Sequence, residues 1–259
     1  MRIAIGQLDS GPDTERNILL MEDMASQAAH AGARMIVFPE YSTYEKPRVD
    51  SSFVAAAEPL DGPASARLAE IARRHQLVLV AGIVETSDEP HRAFNTIIVV
   101  GEDKERLAVY RKIHLFDSQS FQESRHIKPA VDLRPVTFTV DGIVFGILTC
   151  YDLRFPELAR SLADAGTHVL LAPSSWVPGA AKPDQWNTLA QARALDHGIF
   201  VVAVSQAEPI SIGRSLIADP MGAIFEQCGT SPEVRTIDLP LKRITETRQR
   251  FPLAQQRRI

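Results

Sequence analysis

Five segments of the chain are apolar at almost every position, and this pattern constrains the fold more than any other feature. They read MIVF at 35–38, LVLVAGIV at 77–84, GIVFGIL at 142–148, HVLLA at 168–172 and GIFVVAV at 198–204. A strand with one face in water alternates apolar and polar residues, whereas a strand that is covered on both faces does not need to. Each segment therefore predicts a strand with both faces buried.

The predicted strands are more than twice as numerous as the predicted helices. Periodicity and turn residues predict strands at 2–8, 35–38, 77–85, 95–100, 107–112, 136–140, 143–149, 168–172, 200–205, 215–218, 223–225 and 234–238. Helices are predicted at 15–31, 65–75, 156–165 and 185–197, with a short one after the last strand. We therefore predict an α/β fold with two stacked sheets and helices on their outer faces. No linker, repeat or low-complexity segment interrupts residues 1–259, which predicts a single domain.

The composition argues against several classes of protein. The 259 residues carry a formal net charge of -4, spread along the chain, so neither nucleic acid nor an anionic membrane is expected as the main partner. No apolar run approaches the ~18 residues of a membrane span, and the first run is too short for a signal peptide. Two cysteines, Cys150 and Cys228, do not indicate a disulfide framework. We therefore expect a cytoplasmic protein.

Common catalytic motifs are absent from the sequence. It contains no G-x-S-x-G, H-E-x-x-H, C-x-x-C, G-x-G-x-x-G or P-loop pattern. The seven histidines are scattered, and no two of them have the spacing of metal ligands. We therefore expect neither a metal enzyme nor a nucleotide-binding enzyme.

Cys150 occupies a position that suits a nucleophile. In GILTCYDLRFPELAR a predicted strand ends just before Cys150, the chain turns, and a helix opens at Pro156. The nucleophile elbow of another hydrolase fold presents its side chain in the same way, at a strand tip beside backbone N–H groups. A lone cysteine after an apolar strand is, however, more often buried and inert. A thiol of ordinary pKa ~8.5 is mostly protonated at pH 7, so a nucleophilic Cys150 needs a base or a cation nearby.

Two carboxylates and a lysine are candidates for those roles. Glu40 ends the strand in MIVFPEYSTY, where partial desolvation would raise its pKa toward that of a useful base. Lys112 ends the strand in YRKIHLFD, where an ammonium could stabilise an oxyanion and lower the pKa of the thiol. Glu123 lies in the polar loop SFQESRH. Taken singly, each is also an ordinary surface residue.

Together these segments resemble the nitrilase superfamily of carbon–nitrogen hydrolases. FPEYS at 38–42, YRKIHLFD at 110–117 and TCYDLRFPEL at 149–158 resemble its three signature segments and occur in the same order. FQES at 121–124 resembles the loop that carries a second glutamate, and SLIADPMG at 215–222 resembles a later hairpin. Three separated motifs in the right order are far more specific than any one of them.

The resemblance implies a four-layer α-β-β-α sandwich, a homodimer or higher assembly, and no cofactor. It implies that Cys150 is the nucleophile, Glu40 the general base and Lys112 the oxyanion stabiliser. Glu123 would orient the lysine or share proton transfer, and the backbone N–H of Tyr151 would be the second oxyanion donor. The expected reaction hydrolyses a small non-peptide amide through a thioester on Cys150 and releases ammonia or an amine.

The segment around Cys150 looks closest to the ω-amidase and deaminated glutathione amidase branches. Nitrilases proper usually have Trp-Glu after the nucleophile, where this chain has Tyr151 and Asp152. Arg154 is expected either to bind a substrate carboxylate or to form a structural ion pair. The other candidate substrate-binding residues are Tyr44, Ser174 and Trp176. The alternatives are an N-carbamoyl amino acid hydrolase or nitrilase of the same mechanism, and a catalytically idle binding scaffold.

Overall fold

The computed structural model describes residues 1–118 and 120–258, and its strands form two six-stranded sheets. In chain order the strands are β1 (Arg2–Gln7), β2 (Met35–Val37), β3 (Val78–Thr86), β4 (Ala93–Val100), β5 (Arg106–Arg111), β6 (Thr137–Val140), β7 (Ile143–Ile147), β8 (Val169–Ser174), β9 (Phe200–Ser205), β10 (Leu216–Ala218), β11 (Ile224–Gln227) and β12 (Glu233–Asp238). The first sheet has the order β12-β1-β2-β3-β4-β5, and the second has the order β11-β10-β9-β8-β7-β6. Three parallel strands lie inside each sheet, and antiparallel strands flank them.

Helices cover the outer face of each sheet. They are α1 (Thr14–His30), α2 (Ser51–Ala56), α3 (Pro63–His75), α4 (Pro156–Asp164), α5 (Lys182–His197), α6 (Lys242–Arg250) and α7 (Leu253–Gln256). The apolar sides of α1 and α3 pack on the first sheet, and those of α4 and α5 pack on the second. The predicted α-β-β-α sandwich is confirmed. No helix in the described part of the chain is long and apolar enough to cross a membrane.

Strand β3 shows why these strands do not alternate between apolar and polar residues. Val78 and Val80 enter the apolar layer between the two sheets. Leu79 and Ala81 point the other way and pack in the cluster formed with α1 and α3. Full burial of a valine or leucine side chain stabilises the fold by about 1.5–3 kcal/mol, so both faces of the strand contribute.

The predicted elements agree with the structure at most of their boundaries. Every predicted strand is present, and its ends lie within two residues of the predicted ends. The two predicted strands on either side of Asp141 and Gly142 form an antiparallel hairpin, with φ values of 49° and 78° at these two residues. Helix α5 begins at Lys182, three residues before the predicted start, because Pro183 is tolerated in a first helical turn. The short helices α2 and α7 were not predicted, since four to six residues are too few to show a helical period.

Candidate active site

Four strands of the two sheets deliver the residues of the site. The residues that follow β2, β5, β7 and β8 at a distance of one to three positions are Glu40, Lys112, Cys150 and Ser175. Strands β2 and β5 run in the same direction within the first sheet, and β7 and β8 are parallel in the second. Their carboxyl ends therefore carry side chains that are far apart in the sequence to one place.

Lys112 lies between two carboxylates in a buried cluster. Its Nζ is 2.8 Å from Oε1 of Glu40, and it is 2.9 Å and 3.1 Å from the two carboxylate oxygens of Glu123. Glu123 also accepts hydrogen bonds from the Tyr41 hydroxyl at 2.8 Å and from the Phe116 backbone N–H at 2.6 Å. The three charged residues are 1–4% exposed. The structure thus brings together the three charged residues that the sequence singled out.

Glu40 is held by two further donors that sequence reasoning did not identify. The Asn95 side chain donates to Oε1 of Glu40 at 2.6 Å, and the Ser175 backbone N–H donates to Oε2 at 2.6 Å. Both carboxylate oxygens are therefore fixed in direction. No motif marks Asn95 or Ser175, because each reaches Glu40 only through the pairing of β3 with β4 and the stacking of the two sheets.

Gly82 in β3 makes room for the turn that carries Glu40. A Cβ atom at Gly82 would lie 2.3 Å from the backbone nitrogen of Tyr41. The Gly82 backbone donates to the carbonyl of Pro39 at 3.0 Å and accepts from the N–H of Thr43 at 3.2 Å. Tyr41 itself has a φ of 57°. Any side chain at position 82 would push the turn, and Glu40 with it, away from the sheet.

The Cys150 backbone adopts a strained conformation that Asp152 enforces. Cys150 opens a short 3-10 helix with a φ of 51°, in the left-handed region that side chains disfavour. The Asp152 carboxylate accepts from the Thr149 N–H at 3.0 Å, the Tyr110 hydroxyl at 2.5 Å and the His114 N–H at 3.0 Å. It also pairs with Nδ1 of the His114 ring at 2.7 Å. The elbow thus depends on Asp152, which the sequence did not point to.

Burial and charge set the protonation of the site. Burial raises the pKa of the Cys150 thiol well above its ordinary value, and Glu40 and Glu123 raise it further. Lys112 lowers that pKa, as predicted, but its effect is outweighed, so the resting thiol is protonated. Burial lowers the pKa of Lys112, yet Glu123 and Glu40 raise it well above its ordinary value. Burial raises the pKa of Glu123, but the Lys112 ammonium brings it below its ordinary value. The lysine is therefore charged, and Glu123 is ionised.

These residues line a cavity of about 370 Å³, which suits a small molecule. Its wall includes the rings of Phe116 and Phe121, and cationic side chains at its rim include Arg48 and Arg125. Glu45 also lines it, and burial raises the pKa of that carboxyl well above its ordinary value. Among the described residues, no group of three or more His, Cys, Asp or Glu side chains could hold a metal ion.

Two of the predicted substrate-binding residues lie behind the cavity wall. Ser174, the last residue of β8, is fully buried and donates to the carbonyl of Ala172 at 3.0 Å. The next residue, Ser175, lines the cavity instead. Tyr44 packs its ring against Phe53, with the ring centroids 5.1 Å apart. The side-chain directions at a strand end and in a loop are decided by these packing contacts, which the sequence does not display.

The other two predicted substrate-binding residues form the layer beneath the Cys150 loop. Trp176 is 3% exposed, and its ring lies 5.3 Å from that of Trp186. The Arg154 guanidinium lies 5.3 Å from the Trp176 ring and donates to the side chain of Gln185 at 2.6 Å. Arg154 forms no ion pair within residues 1–118 and 120–258, so the predicted structural ion pair is not observed.

Known proteins are similar to this chain in fold and in sequence. The family model described as carbon-nitrogen hydrolase matches residues 2–249. A deaminated glutathione amidase of Escherichia coli O157:H7 is 31% identical, over 100% of this chain and 97% of the relative. A human ω-amidase is 30% identical, over 99% and 95% of the two chains. An amidase from Nesterenkonia sp. AN1 superposes with a TM-score of 0.83 and 27% identity, over 98% of this chain and 99% of that one.

That bacterial amidase, in a mutant form, carries the product of Michael addition of acrylamide at its active-site cysteine. The resemblance drawn from the motifs is therefore confirmed over nearly the whole chain. Several of the named relatives are amidases, and the site described above offers a cysteine among buried charged groups. The chain belongs to the carbon–nitrogen hydrolase family, in the nitrilase superfamily, and is a hydrolase that cleaves amide carbon–nitrogen bonds with a cysteine.

Proposed function

We propose that this hydrolase cleaves a small linear amide that carries a carboxylate, with Cys150 as its nucleophile. The observation that carries the proposal is the buried Lys112 ammonium, held between Glu40 and Glu123 in the cavity that Cys150 lines. A buried charge cluster is costly to maintain, and such clusters with shifted pKa values concentrate at functional sites. An idle binding scaffold would not need it.

The first half of the reaction forms a thioester. The resting Cys150 thiol is protonated, and its Sγ lies 3.7 Å from the carbonyl oxygen of Ser175, whose N–H donates to Glu40. Glu40 takes the thiol proton as sulfur attacks the amide carbon. The oxyanion receives hydrogen bonds from Lys112 and from the backbone N–H of Tyr151. That N–H lies in the first turn of a 3-10 helix, where backbone donors have no partner within the helix. Each such donor is worth about 3 kcal/mol in the transition state. Glu40 then gives its proton to the nitrogen, and ammonia or an amine leaves.

The second half of the reaction releases the acid. Glu40 takes a proton from water, the resulting hydroxide attacks the thioester carbon, and the carbon–sulfur bond breaks. The proton returns from Glu40 to the sulfur of Cys150, which restores the thiol. Glu123 keeps Lys112 charged and in place throughout, since two of the hydrogen bonds of that ammonium go to its carboxylate.

The size and charge of the cavity support a small anionic substrate. A volume of about 370 Å³ is too small for a folded peptide segment but accommodates a linear amide of a few carbons. Arg48 and Arg125 are exposed at its rim, and neither has an ion-pair partner in the described part of the chain. Positive charge at the mouth of a site attracts a carboxylate-bearing substrate.

We also propose a homodimer in a reducing, cytoplasmic compartment. Exposed apolar side chains surround one groove beside α5 and α7, namely Leu195, Met221, Phe251 and Leu253. A second copy of the chain would remove this surface from water, as in other homodimers. Both cysteines are free, which fits a compartment that keeps thiols reduced. Sedimentation of wild type and of Phe251→Glu would test the dimer; identical monomeric behaviour of both would contradict it.

Mass spectrometry and ammonia release test the amidase proposal together. The panel contains dicarboxylic acid monoamides, matched neutral amides, carbamoyl compounds and nitriles. Wild type should release ammonia fastest from a monoamide and should carry an acyl adduct on Cys150. Cys228 should carry none, because it is buried and does not line the cavity. Cys150→Ala should stay folded and lose turnover, with Cys228→Ala as the control. Near-normal turnover by Cys150→Ala would refute the mechanism.

A further inference from the structure

Lys182 is a buried cation without a counterion. It is 4% exposed, and its ammonium forms neither an ion pair nor a hydrogen bond with any residue of the described ranges 1–118 and 120–258. Lys112, the other buried lysine among the described residues, is held by two carboxylates. Burying a charge without a partner costs free energy that the fold must supply from elsewhere. A side chain in this state therefore calls for a function.

Lys182 packs against the wall of the active-site cavity, although it is not itself one of the lining residues. Its Nζ lies 5.0 Å from the ring centroid of Phe116, which lines the active-site cavity, and 5.5 Å from that of Trp176. Burial and the neighbouring Arg154 guanidinium lower the pKa of Lys182, and a thiolate at Cys150 would raise it. Two cations thus lie together, and in the described part of the chain Arg154 has the neutral side chain of Gln185 as its hydrogen-bond partner.

The backbone around Lys182 also favours a negative charge at this position. Lys182 is the first residue of α5, where unpaired N–H groups and the helix dipole favour a negative charge. No side chain caps this helix end, and its N-cap residue Ala181 has a φ of 57°. The Lys182 carbonyl accepts from the Trp176 indole at 3.1 Å, which fixes the lysine against the ring. Asp184 also lies in this first turn, but it forms no ion pair with Lys182 in the described part of the chain, so the ammonium at this helix end lacks a counterion.

Lys182 and Arg154 are neighbouring cations, and neither has a carboxylate partner in the described part of the chain. The Lys112 ammonium, in contrast, is paired with both Glu40 and Glu123. A substrate carboxylate would therefore gain most by approaching Lys182 and Arg154.

We propose that Lys182 is a specificity-determining residue that binds the carboxylate of the amide substrate, with Phe116 and Trp176 holding its ammonium in place. The proposal rests on the amidase function proposed above and names the side chain that reads the substrate. An aliphatic neutral amide would leave the ammonium unpaired and would bind poorly. Lys182 takes no part in bond making, so its loss acts on the binding of anionic substrates and not on the chemical step.

The test compares two amides in wild type, Lys182→Met and Lys182→Arg. The amides are the monoamide of butanedioic acid and butanamide, which has the same chain length and no carboxylate. Lys128→Met is the matched control, because Lys128 also lies over an aromatic ring, 5.8 Å from that of Phe94, but is paired with Asp88. Thermal unfolding of each variant is measured alongside kcat and KM.

Lys182→Met should lower kcat/KM for the monoamide by at least about 30-fold through KM, and should change butanamide hydrolysis by less than threefold. Lys182→Arg should recover part of the loss, and Lys128→Met should match wild type. Lys182→Met should also be at least as stable as wild type, since methionine packs well between two rings without a charge to bury.

Several results would overturn the proposal. Equal kcat/KM of wild type for the two amides would do so without any variant. An equal loss on both amides in Lys182→Met would make the lysine structural. Loss of the preference in Arg48→Ala or Arg125→Ala, with Lys182→Met unaffected, would place the carboxylate at the rim of the cavity. In each of these cases ammonia release and the Cys150 adduct would persist, whereas failure of the proposed function would abolish both.

Discussion

Replacing Lys112 by methionine should separate the two effects of its ammonium, on stability and on turnover. In the wild type the ammonium lies 2.8 Å from Glu40 and 2.9 Å from Glu123, and it is 2% exposed. Removing one partner of such a buried group leaves uncompensated charge and costs about 3–5 kcal/mol. For a chain of this length that loss lowers the melting temperature by roughly 10 °C. Turnover should fall at least about 10²-fold, because one oxyanion donor is lost as well.

The stability loss should depend on pH in a defined direction. In the wild type the lowered pKa of Glu123 stabilises the fold above the ordinary carboxyl pKa of ~4.3, and this is lost as pH falls through the lowered value. Without Lys112, burial would raise that pKa above its ordinary value, so the variant would lose stability as pH rises through the raised value. The difference between the two proteins should therefore be small near pH 4 and largest near pH 8.

Urea unfolding from pH 4 to pH 8, with ammonia release at each pH, measures both effects. The matched control is the double variant Lys112→Met/Glu123→Gln, which removes one of the two stranded charges. It should recover at least half of the stability that Lys112→Met loses at pH 8 and remain inactive. The reasoning would be refuted by a Lys112→Met variant as stable as wild type at pH 8, or by turnover within a few-fold of wild type.

Three further predictions concern the framework of the site. Gly82→Ala should be less stable and nearly inactive, because its Cβ would lie 2.3 Å from the Tyr41 nitrogen. Gly11→Ala is the control: its Cβ would have no heavy atom within 4 Å, so this variant should match wild type in melting temperature and turnover. Equal behaviour of the two variants would contradict the prediction. Asp152→Ala should lower turnover at least about tenfold and reduce the rate of Cys150 alkylation, since the nucleophile loop loses its anchor; unchanged alkylation would argue against that role. Prolonged chelator treatment should leave ammonia release unchanged, and a loss that zinc restores would overturn the cysteine mechanism.

Much of the fold could be predicted from the sequence because burial leaves a direct trace in residue type. A strand such as β3 has to be apolar on both faces if it lies between a helix layer and a second sheet, and its run of apolar residues states this without any structure. Likewise, Glu40, Lys112 and Cys150 each follow the end of a predicted strand. A polar side chain is tolerated there because it can point away from the apolar core. The pattern of residues in one segment reflects the burial of that segment. The strands and the residues at their ends could therefore be predicted without knowing which strands are neighbours.

The composition of the site beyond those motifs was decided by tertiary structure. Asn95 and Ser175 reach Glu40 from 55 and 135 positions away, so only strand pairing and sheet stacking reveal them. Tertiary structure also decided the position of Ser174, which the sequence predicted to bind substrate. Its hydroxyl donates to the carbonyl of Ala172, and the next residue, Ser175, lines the cavity instead.

Lys182 is the clearest example of a residue whose environment could not be predicted from the sequence. A lysine in the first turn of a helix looks like a solvated surface residue, and its sequence neighbours do not distinguish it. Its burial, its lack of a counterion and its proximity to Cys150 depend on rings and charges supplied by three separate loops. The chain by itself determined the layers of the fold and the candidates for the reacting groups, because these follow from residue type and order. Which charges remain unpaired follows only from distances between segments, and those exist only in the folded protein.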